Sequence, residues 1–137
     1  MARWGKWRAI DEIYDDVDLL RKKGLYQIRM VDKKNVPIAI PRIKGIDPNG
    51  ILYMGKSIRL RPRIGAFWGG RHSGGGFYYR AYRRLRKYNP YKEHSLQFRV
   101  MAIAESDVTA KERSMLQRYF RRFCELPPFN STVPGGK

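Results

Sequence analysis

Two tyrosines, an arginine and a glutamate are the residues of this sequence whose types and spacing could do chemistry. Tyr26 ends the run GLY at 24–26, Tyr53 begins the run YMGKS at 53–57, and Arg63 and Glu112 follow. A guanidinium binds a phosphate through two parallel hydrogen bonds, and a carboxylate can hold a divalent cation. A phenol can orient a water molecule or take its proton. Together these groups suit reactions at phosphorus.

With Leu60 ahead of the arginine and Asn130 near the end, these residues resemble the motifs of the GIY-YIG nuclease superfamily, in order, across residues 24–130. The resemblance implies an α/β (α+β) fold with a small, mainly antiparallel three-stranded sheet flanked by helices. It also implies an Mg²⁺-dependent (or Mn²⁺-dependent) endonuclease, restriction-like or phage-type, that hydrolyses DNA phosphodiester bonds. Such hydrolysis needs a base for water, positive charge on the phosphate and a Lewis acid.

The resemblance gives roles to both tyrosines and to the asparagine. Tyr26 would lie at the catalytic water as a general base, and Tyr53 would orient water or phosphate through its hydroxyl. Because a phenol ordinarily titrates near 10, Tyr26 needs a nearby positive charge, and Lys56 is our candidate for it. Core packing is the alternative for both tyrosines. Asn130 would hydrogen bond near the active site, although asparagine is common in Pro-rich turns.

Arg63 stands three residues after Leu60, where the family places its phosphate-clamping arginine. Phe67 occupies the position at which many members have a histidine or tyrosine for proton transfer. His72, in the glycine-rich run 69–76, is our candidate substitute because histidine titrates near neutral pH. Its alternative is an exposed histidine without a catalytic role.

Glu112 is the candidate metal ligand. It shares a predicted helix face with Leu116, Tyr119 and Phe123, so its carboxylate starts on the apolar side, where a carboxylate needs a cation. One carboxylate, several waters and the substrate phosphate commonly hold Mg²⁺. The alternative is a capping box, in which Glu112 at N3 would bond back to the amide of Thr109.

The charge balance predicts a polyanionic partner. The chain has 29 lysines and arginines against 12 acidic residues, a net charge of +17, and its pI of about 10.4 is typical of a nucleic-acid-binding domain. A predicted basic helix face could run along phosphates. We assign nucleic-acid binding to Arg59, Arg61, Arg71, Arg80, Arg83, Arg84 and Lys87. DNA is the expected partner with RNA as the alternative, and the rival function is a non-catalytic nucleic-acid-binding protein.

The elements that must position these residues fit one domain over 1–137, with a basic arm at 1–10 and a Pro/Gly-rich tail at 124–137. Tryptophans in the arm could stack on nucleic acid or pack on the domain. Ser57 is a plausible N-cap, and a Pro-pinned excursion fills 36–50. Hydrophobic periodicity predicts helices over 11–23, 58–68, 77–87 and 109–123, and strands over 24–31, 51–55 and 96–104.

Several classes of protein are disfavoured. The single cysteine, Cys124, cannot form an internal disulfide or a Cys-based zinc site, and the common zinc-protease, P-loop and nucleophile-elbow motifs are missing. No apolar run approaches the roughly 18 to 20 residues of a membrane helix, and the N-terminus lacks a signal peptide's apolar segment. We expect a cytoplasmic protein without membrane contact. Double-strand cleavage would need a homodimer or two successive nicks.

Overall fold

The structure is a computed structural model that describes residues 3–69, 80, 83, 84, 87, 88, 91–103 and 108–130. These residues form an α/β fold in which helices pack on a mainly antiparallel sheet. The strands are β1 (Arg8–Ala9), β2 (Gly24–Val31), β3 (Ile40–Pro41), β4 (Ile46–Asp47), β5 (Ile51–Ser57) and β6 (Ser95–Ala102). The helices are α1 (Leu60–Trp68) and α2 (Val108–Phe123), with short 3₁₀ helices at Ile10–Asp15, Val17–Leu19 and Tyr91–Glu93.

The main sheet has four strands in the order β1-β6-β2-β5, and neighbouring strands are antiparallel. The expected number was three. The fourth strand comes from the N-terminal arm, where Arg8 pairs with Phe98 and the amide of Gly5 donates to the carbonyl of Val100 at 2.9 Å. The arm is therefore part of the sheet. The sequence did not indicate this, because β1 has only two residues.

The sheet separates two hydrophobic layers. On one face, Tyr26 and Tyr53 pack with the apolar residues of α1. On the other face, Ile51 and Met54 pack with the apolar residues of α2. Tyr26 pairs with Gly55 of β5, and Tyr53 lies two residues before Gly55. Because successive side chains of a strand point to opposite faces, the two motif tyrosines share the α1 face. Pro62 lies in the first turn of α1, where proline is tolerated.

The predicted helix over 11–23 is replaced by two 3₁₀ helices, Ile10–Asp15 and Val17–Leu19. Asp16 lies between them, accepts a hydrogen bond from the amide of Leu19 at 3.3 Å and forms an ion pair with Arg8 at 2.7 Å. An aspartate that captures a nearby backbone amide competes with continuous helix. The helical spacing of apolar residues was therefore a correct sign of burial for Ile13 but a wrong prediction of one long helix.

The start of α1 also differs from the prediction. Ser57 is the last residue of β5, and Arg59 is the N-cap residue. The Ser57 hydroxyl accepts a hydrogen bond from the Arg59 amide at 3.0 Å and donates to the Arg59 carbonyl at 2.8 Å. Serine therefore stabilises the turn between strand and helix rather than the first turn of the helix itself.

The Pro-pinned excursion contains the β3–β4 hairpin and closes in the predicted turn. Asp47 is buried, and its carboxylate accepts hydrogen bonds from the amides of Asn49 and Ile51 and from the Tyr119 hydroxyl at 2.9, 3.3 and 2.9 Å. The turn is thereby tied to α2.

Most of the predicted helix over 77–87 lies outside the described residues. Among the described residues, no helix is long and apolar enough to cross a membrane.

Candidate functional site

Tyr26 and Tyr53 lie side by side on the α1 face of the sheet. Their ring centroids are 5.9 Å apart, and the Tyr26 hydroxyl donates a hydrogen bond to the Tyr53 hydroxyl. Gly55 lies opposite Tyr26 in the strand pairing. A Cβ at Gly55 would lie 2.8 Å from both Cζ and Oη of Tyr26, so the glycine of the second run provides the space for the tyrosine of the first.

Gly24 allows a second close approach, between β2 and β6. A Cβ at this position would lie 2.0 Å from the carbonyl oxygen of Met101, a distance that no side chain can accommodate without movement of the backbone. Both motif glycines thus permit a close approach. They fix where β2 lies relative to its two neighbours, and hence where Tyr26 is held.

Arg63 lies in the first half of α1, and its guanidinium donates hydrogen bonds to the hydroxyls of Tyr26 and Tyr53. The rival arginines lie elsewhere. Arg61 donates to the backbone carbonyls of Ile13 and Tyr14 at 3.3 and 2.5 Å, so its side chain joins α1 to the first 3₁₀ helix. Arg59 is exposed. The structure thus brings Arg63, the motif arginine, to the tyrosine pair.

Lys56 does not have the role that we expected from the sequence. It pairs with Leu25 rather than with Tyr26, and its Nζ donates to the Thr109 hydroxyl at 2.5 Å. Side chains alternate along a strand, so Lys56, one residue after Gly55, points to the α2 face. The cation that lowers the pKa of Tyr26 is Arg63 instead.

Glu112 reaches the same edge of the sheet from α2. Its carboxylate accepts a hydrogen bond from the backbone amide of Lys56, which β5 can offer because it is the last strand of the sheet. The helix begins at Val108, and the Thr109 hydroxyl bonds to Lys56. The contact of Glu112 with β5 thus takes the place of the capping box considered above.

The two phenols are neutral at physiological pH. Burial raises the pKa of Tyr26 well above its ordinary value near 10, the negative charge of an ionised Tyr53 would raise it further, and Arg63 opposes both. Burial also raises the pKa of Tyr53, Arg63 lowers it, and the charge of Glu112 raises it. Tyr26 is 0% exposed and Tyr53 is 7% exposed. Tyr26 therefore has no exposed surface that could contact a substrate. Its hydroxyl bonds to Tyr53 and Arg63 and can affect the reaction through them.

The surroundings of Glu112 fit a divalent cation. Burial raises the pKa of its carboxyl, and the positive charges of Lys56 and Arg63 lower it, so the carboxylate carries a desolvation cost that a cation would offset. Within the described residues, no group of three or more His, Cys, Asp or Glu side chains is placed so that it could hold a metal ion. The donor here is the carboxylate of Glu112, and Mg²⁺ commonly binds through one or two carboxylates, with water and a substrate phosphate as its other ligands.

Asn130 holds the chain against the edge of β5. Its Oδ1 accepts from the amide of Met54 at 3.0 Å, and its Nδ2 donates to the carbonyl of Met54 at 2.9 Å. Asn130 therefore hydrogen bonds to the residue that follows Tyr53, and both ends of its amide contact backbone atoms. The ring of Phe67 stacks on Phe129 at 6.3 Å and lies 5.5 Å from Tyr53, so it packs the floor of the site.

Four of the predicted nucleic-acid contacts form one exposed depression on the surface. It is lined by Arg80, Arg83, Arg84 and Lys87. Arg71 and His72 lie outside the described residues.

Sequence reasoning missed the buried bond between Tyr119 and Asp47, because an Asp-Pro-Asn-Gly run predicts a turn without indicating what the turn packs against.

We compared the chain with protein-family models, with curated proteins and with solved structures, and none of them matches it. The functional interpretation therefore depends on the geometry described above and on the resemblance of the motif residues.

Proposed function

We propose that the protein is a metal-dependent endonuclease that hydrolyses phosphodiester bonds of DNA, with one active site per chain. The observation that carries the proposal is the convergence of Tyr26, Tyr53, Arg63 and Glu112. They come from β2, β5, α1 and α2 and are coupled through hydrogen bonds and charge. The same residues carry the resemblance to the GIY-YIG superfamily. Perturbed titratable groups that gather in this way are typical of active sites.

Each side chain then has a separate task. Arg63 binds the phosphate that is attacked and stabilises the negative charge that develops on it. Tyr53 orients the attacking water through its hydroxyl. The hydrogen bond that Tyr26 donates to this hydroxyl fixes its orientation. Because burial and the charge of Glu112 raise the pKa of Tyr53, its phenol stays protonated, and the attacking water gives its proton to solvent. Glu112 would hold Mg²⁺ or Mn²⁺, which when bound supplies a Lewis acid at the leaving oxygen.

The test is cleavage of supercoiled plasmid in Mg²⁺ or in EDTA by the wild type, Glu112→Gln and Glu93→Gln. Glu93 is exposed in the short 3₁₀ helix at Tyr91–Glu93 and provides the matched control. We expect nicking in Mg²⁺ alone, retained by Glu93→Gln and lost by Glu112→Gln, while a gel shift shows equal binding by all three. Nicking that persists in EDTA or in Glu112→Gln would overturn the proposal.

The alternative function is nucleic-acid binding without catalysis, and one observation favours it. Tyr26 has no exposed surface, as in a core tyrosine whose hydroxyl is simply satisfied by hydrogen bonds. This alternative predicts binding without cleavage of DNA or RNA by any of the three proteins. Under the nuclease proposal, the enzyme acts in the cytoplasm, and double-strand cleavage requires a homodimer or two successive nicks.

A further inference from the structure

A groove runs between α2 and the N-terminal arm on the sheet face opposite Tyr26. It consists of two adjoining cavities, and Trp4, Met115 and Arg118 border both of them. The first cavity extends over Gln27 towards the buried Asp47, and the second extends over Leu25. We refer to this feature as the arm–helix groove. Its floor is the sheet, one wall is α2 and the other wall is the arm with β6.

The walls of the arm–helix groove are strongly basic. On α2, Lys111, Arg118 and Arg122 border it, at the spacing i, i+7 and i+11 that places side chains along one side of a helix. Arg99 of β6 faces them. The acid in the lining, Asp47, already accepts hydrogen bonds from Tyr119 and from two amides. The surface therefore presents a net positive charge to a ligand.

Two neighbouring arginines at the sheet side of the groove bond to glutamines instead of carboxylates. Arg99 donates from Nε to Gln27 at 2.7 Å, and Arg29 donates from Nε to Gln97 at 2.9 Å. Burial lowers the pKa of both guanidinium groups, and the charge of Arg29 lowers that of Arg99 further. The ion pairs found in the described part of the chain involve other residues. Half-buried like charges of this kind favour an anion nearby.

Aromatic rings accompany these charges. Arg99 lies over the rings of Trp4 and Trp7, each at 4.6 Å, and Arg29 lies over Trp7 at 4.3 Å. Trp4 is only partly buried and borders both cavities. Cations that follow a groove beside an aromatic ring are the pattern by which proteins hold single strands, whose phosphates meet the cations while a base packs on the ring. A duplex keeps its base faces stacked inside the helix.

We propose that the arm–helix groove binds a single-stranded segment of nucleic acid, with its phosphates on Lys111, Arg99, Arg118 and Arg122 and a base against Trp4. One end of the groove adjoins the candidate active site, because Leu25 pairs with Lys56 and Lys111 precedes Glu112. A strand leaving the active site can therefore continue into the groove. The proposal rests on the nucleic-acid ligand of the proposed function and is independent of catalysis.

The test measures binding of a fluorescein-labelled oligothymidylate of about 12 nucleotides, within the usual range of single-strand sites, by anisotropy in EDTA. The groove variant is Arg118→Glu with Arg122→Glu. The control is Arg113→Glu with Arg121→Glu, which makes the same charge change at two exposed arginines of α2 outside the groove lining. Circular dichroism verifies the fold of each protein.

We expect the groove variant to bind the oligonucleotide at least about tenfold more weakly than the control, since it loses two phosphate contacts. Equal weakening in both variants would overturn the proposal, because it would show a general effect of charge. Binding by the groove variant that is as tight as that of the control would overturn it as well. Because the assay contains no metal, such a result with wild-type cleavage intact contradicts only this proposal. Absence of cleavage with groove binding intact contradicts only the nuclease.

Discussion

Glu112 is a residue of the candidate site whose burial costs free energy of folding when its carboxyl is ionised. Its carboxylate is half-buried from α2 against the backbone of β5, and burial raises its pKa more than the nearby cations lower it. A raised pKa in the folded state means that ionisation of the group opposes folding. The stabilising contribution of Glu112 is thus fully present at pH values below its unfolded pKa and is lost as the pH rises through its folded pKa.

This sign gives a prediction for thermal stability. At pH 7, Glu112→Gln should have a higher Tm than the wild type, by about 2 °C or more, because glutamine can accept the same hydrogen bond from Lys56 without carrying charge. At pH 4, where the wild-type carboxyl is largely protonated, the difference should shrink towards zero. Calorimetry at both pH values, with Glu93→Gln as control, measures it. A lower Tm for Glu112→Gln at pH 7 would contradict this account.

At the scale of elements, strand contacts determine the position of the tyrosines. Gly24 brings β2 against the backbone of β6, while Gly65 of α1 lies where a Cβ would be 3.5 Å from the ring of Tyr14, an ordinary contact. There is thus no space for an alanine side chain at Gly24, whereas at Gly65 there is.

We predict that Gly24→Ala destabilises the protein by about 3 kcal/mol, since overpacking against rigid backbone is poorly relieved. Gly65→Ala should be neutral or stabilising by up to about 1 kcal/mol, because alanine is the better residue inside a helix. Urea unfolding of both variants measures the change in the free energy of unfolding. Similar values for the two variants would show that the close approach at Gly24 is not a constraint.

The sequence predicts the long elements better than the short ones. β2, β5, β6 and α2 were anticipated because apolar periodicity over many residues outweighs local irregularities. The pairing of β1 could not be predicted, because a two-residue strand such as Arg8–Ala9 carries almost no periodic signal and exists only through contact with β6. The 3₁₀ helices were missed because Asp16 redirects one amide, an effect that helical spacing does not reveal.

The candidate site was predictable to a similar degree. The resemblance of the motif residues implied a shared site for Tyr26, Tyr53 and Arg63, and their hydroxyls and guanidinium are in hydrogen-bond contact. The face of Lys56 was predictable from strand alternation and was overlooked. The bond from the Lys56 amide to Glu112 was beyond sequence reasoning, because it depends on β5 being the edge strand and on where α2 crosses it.

At the scale of the whole molecule, the net charge of +17 makes salt the most informative variable in binding. Each phosphate contact to B-DNA contributes a slope of about −0.9 to the dependence of log K on log salt. The exposed depression at Arg80, Arg83, Arg84 and Lys87 is the surface on which we expect the duplex to lie, whereas the arm–helix groove takes single strands.

We therefore predict that Arg83→Ala with Arg84→Ala reduces the salt slope for duplex binding by about two. The control is Lys33→Ala with Lys34→Ala, two exposed lysines in the turn after β2, for which the slope should stay at the wild-type value. Anisotropy titrations over a range of salt concentrations give both slopes. If the two double variants lose the same slope, binding is spread over the whole basic surface.

The proposed function requires that Tyr53 and Glu112 act as parts of one catalytic unit. The most direct measurement is a double-mutant cycle on the rate of plasmid nicking in Mg²⁺, with Tyr53→Phe, Glu112→Gln and the combined variant. Groups that act together are strongly non-additive, so we predict that each single change lowers the rate at least about 100-fold and that the combined variant is no slower than the slower single one. Losses that multiply, or wild-type nicking by Tyr53→Phe, would contradict the claim.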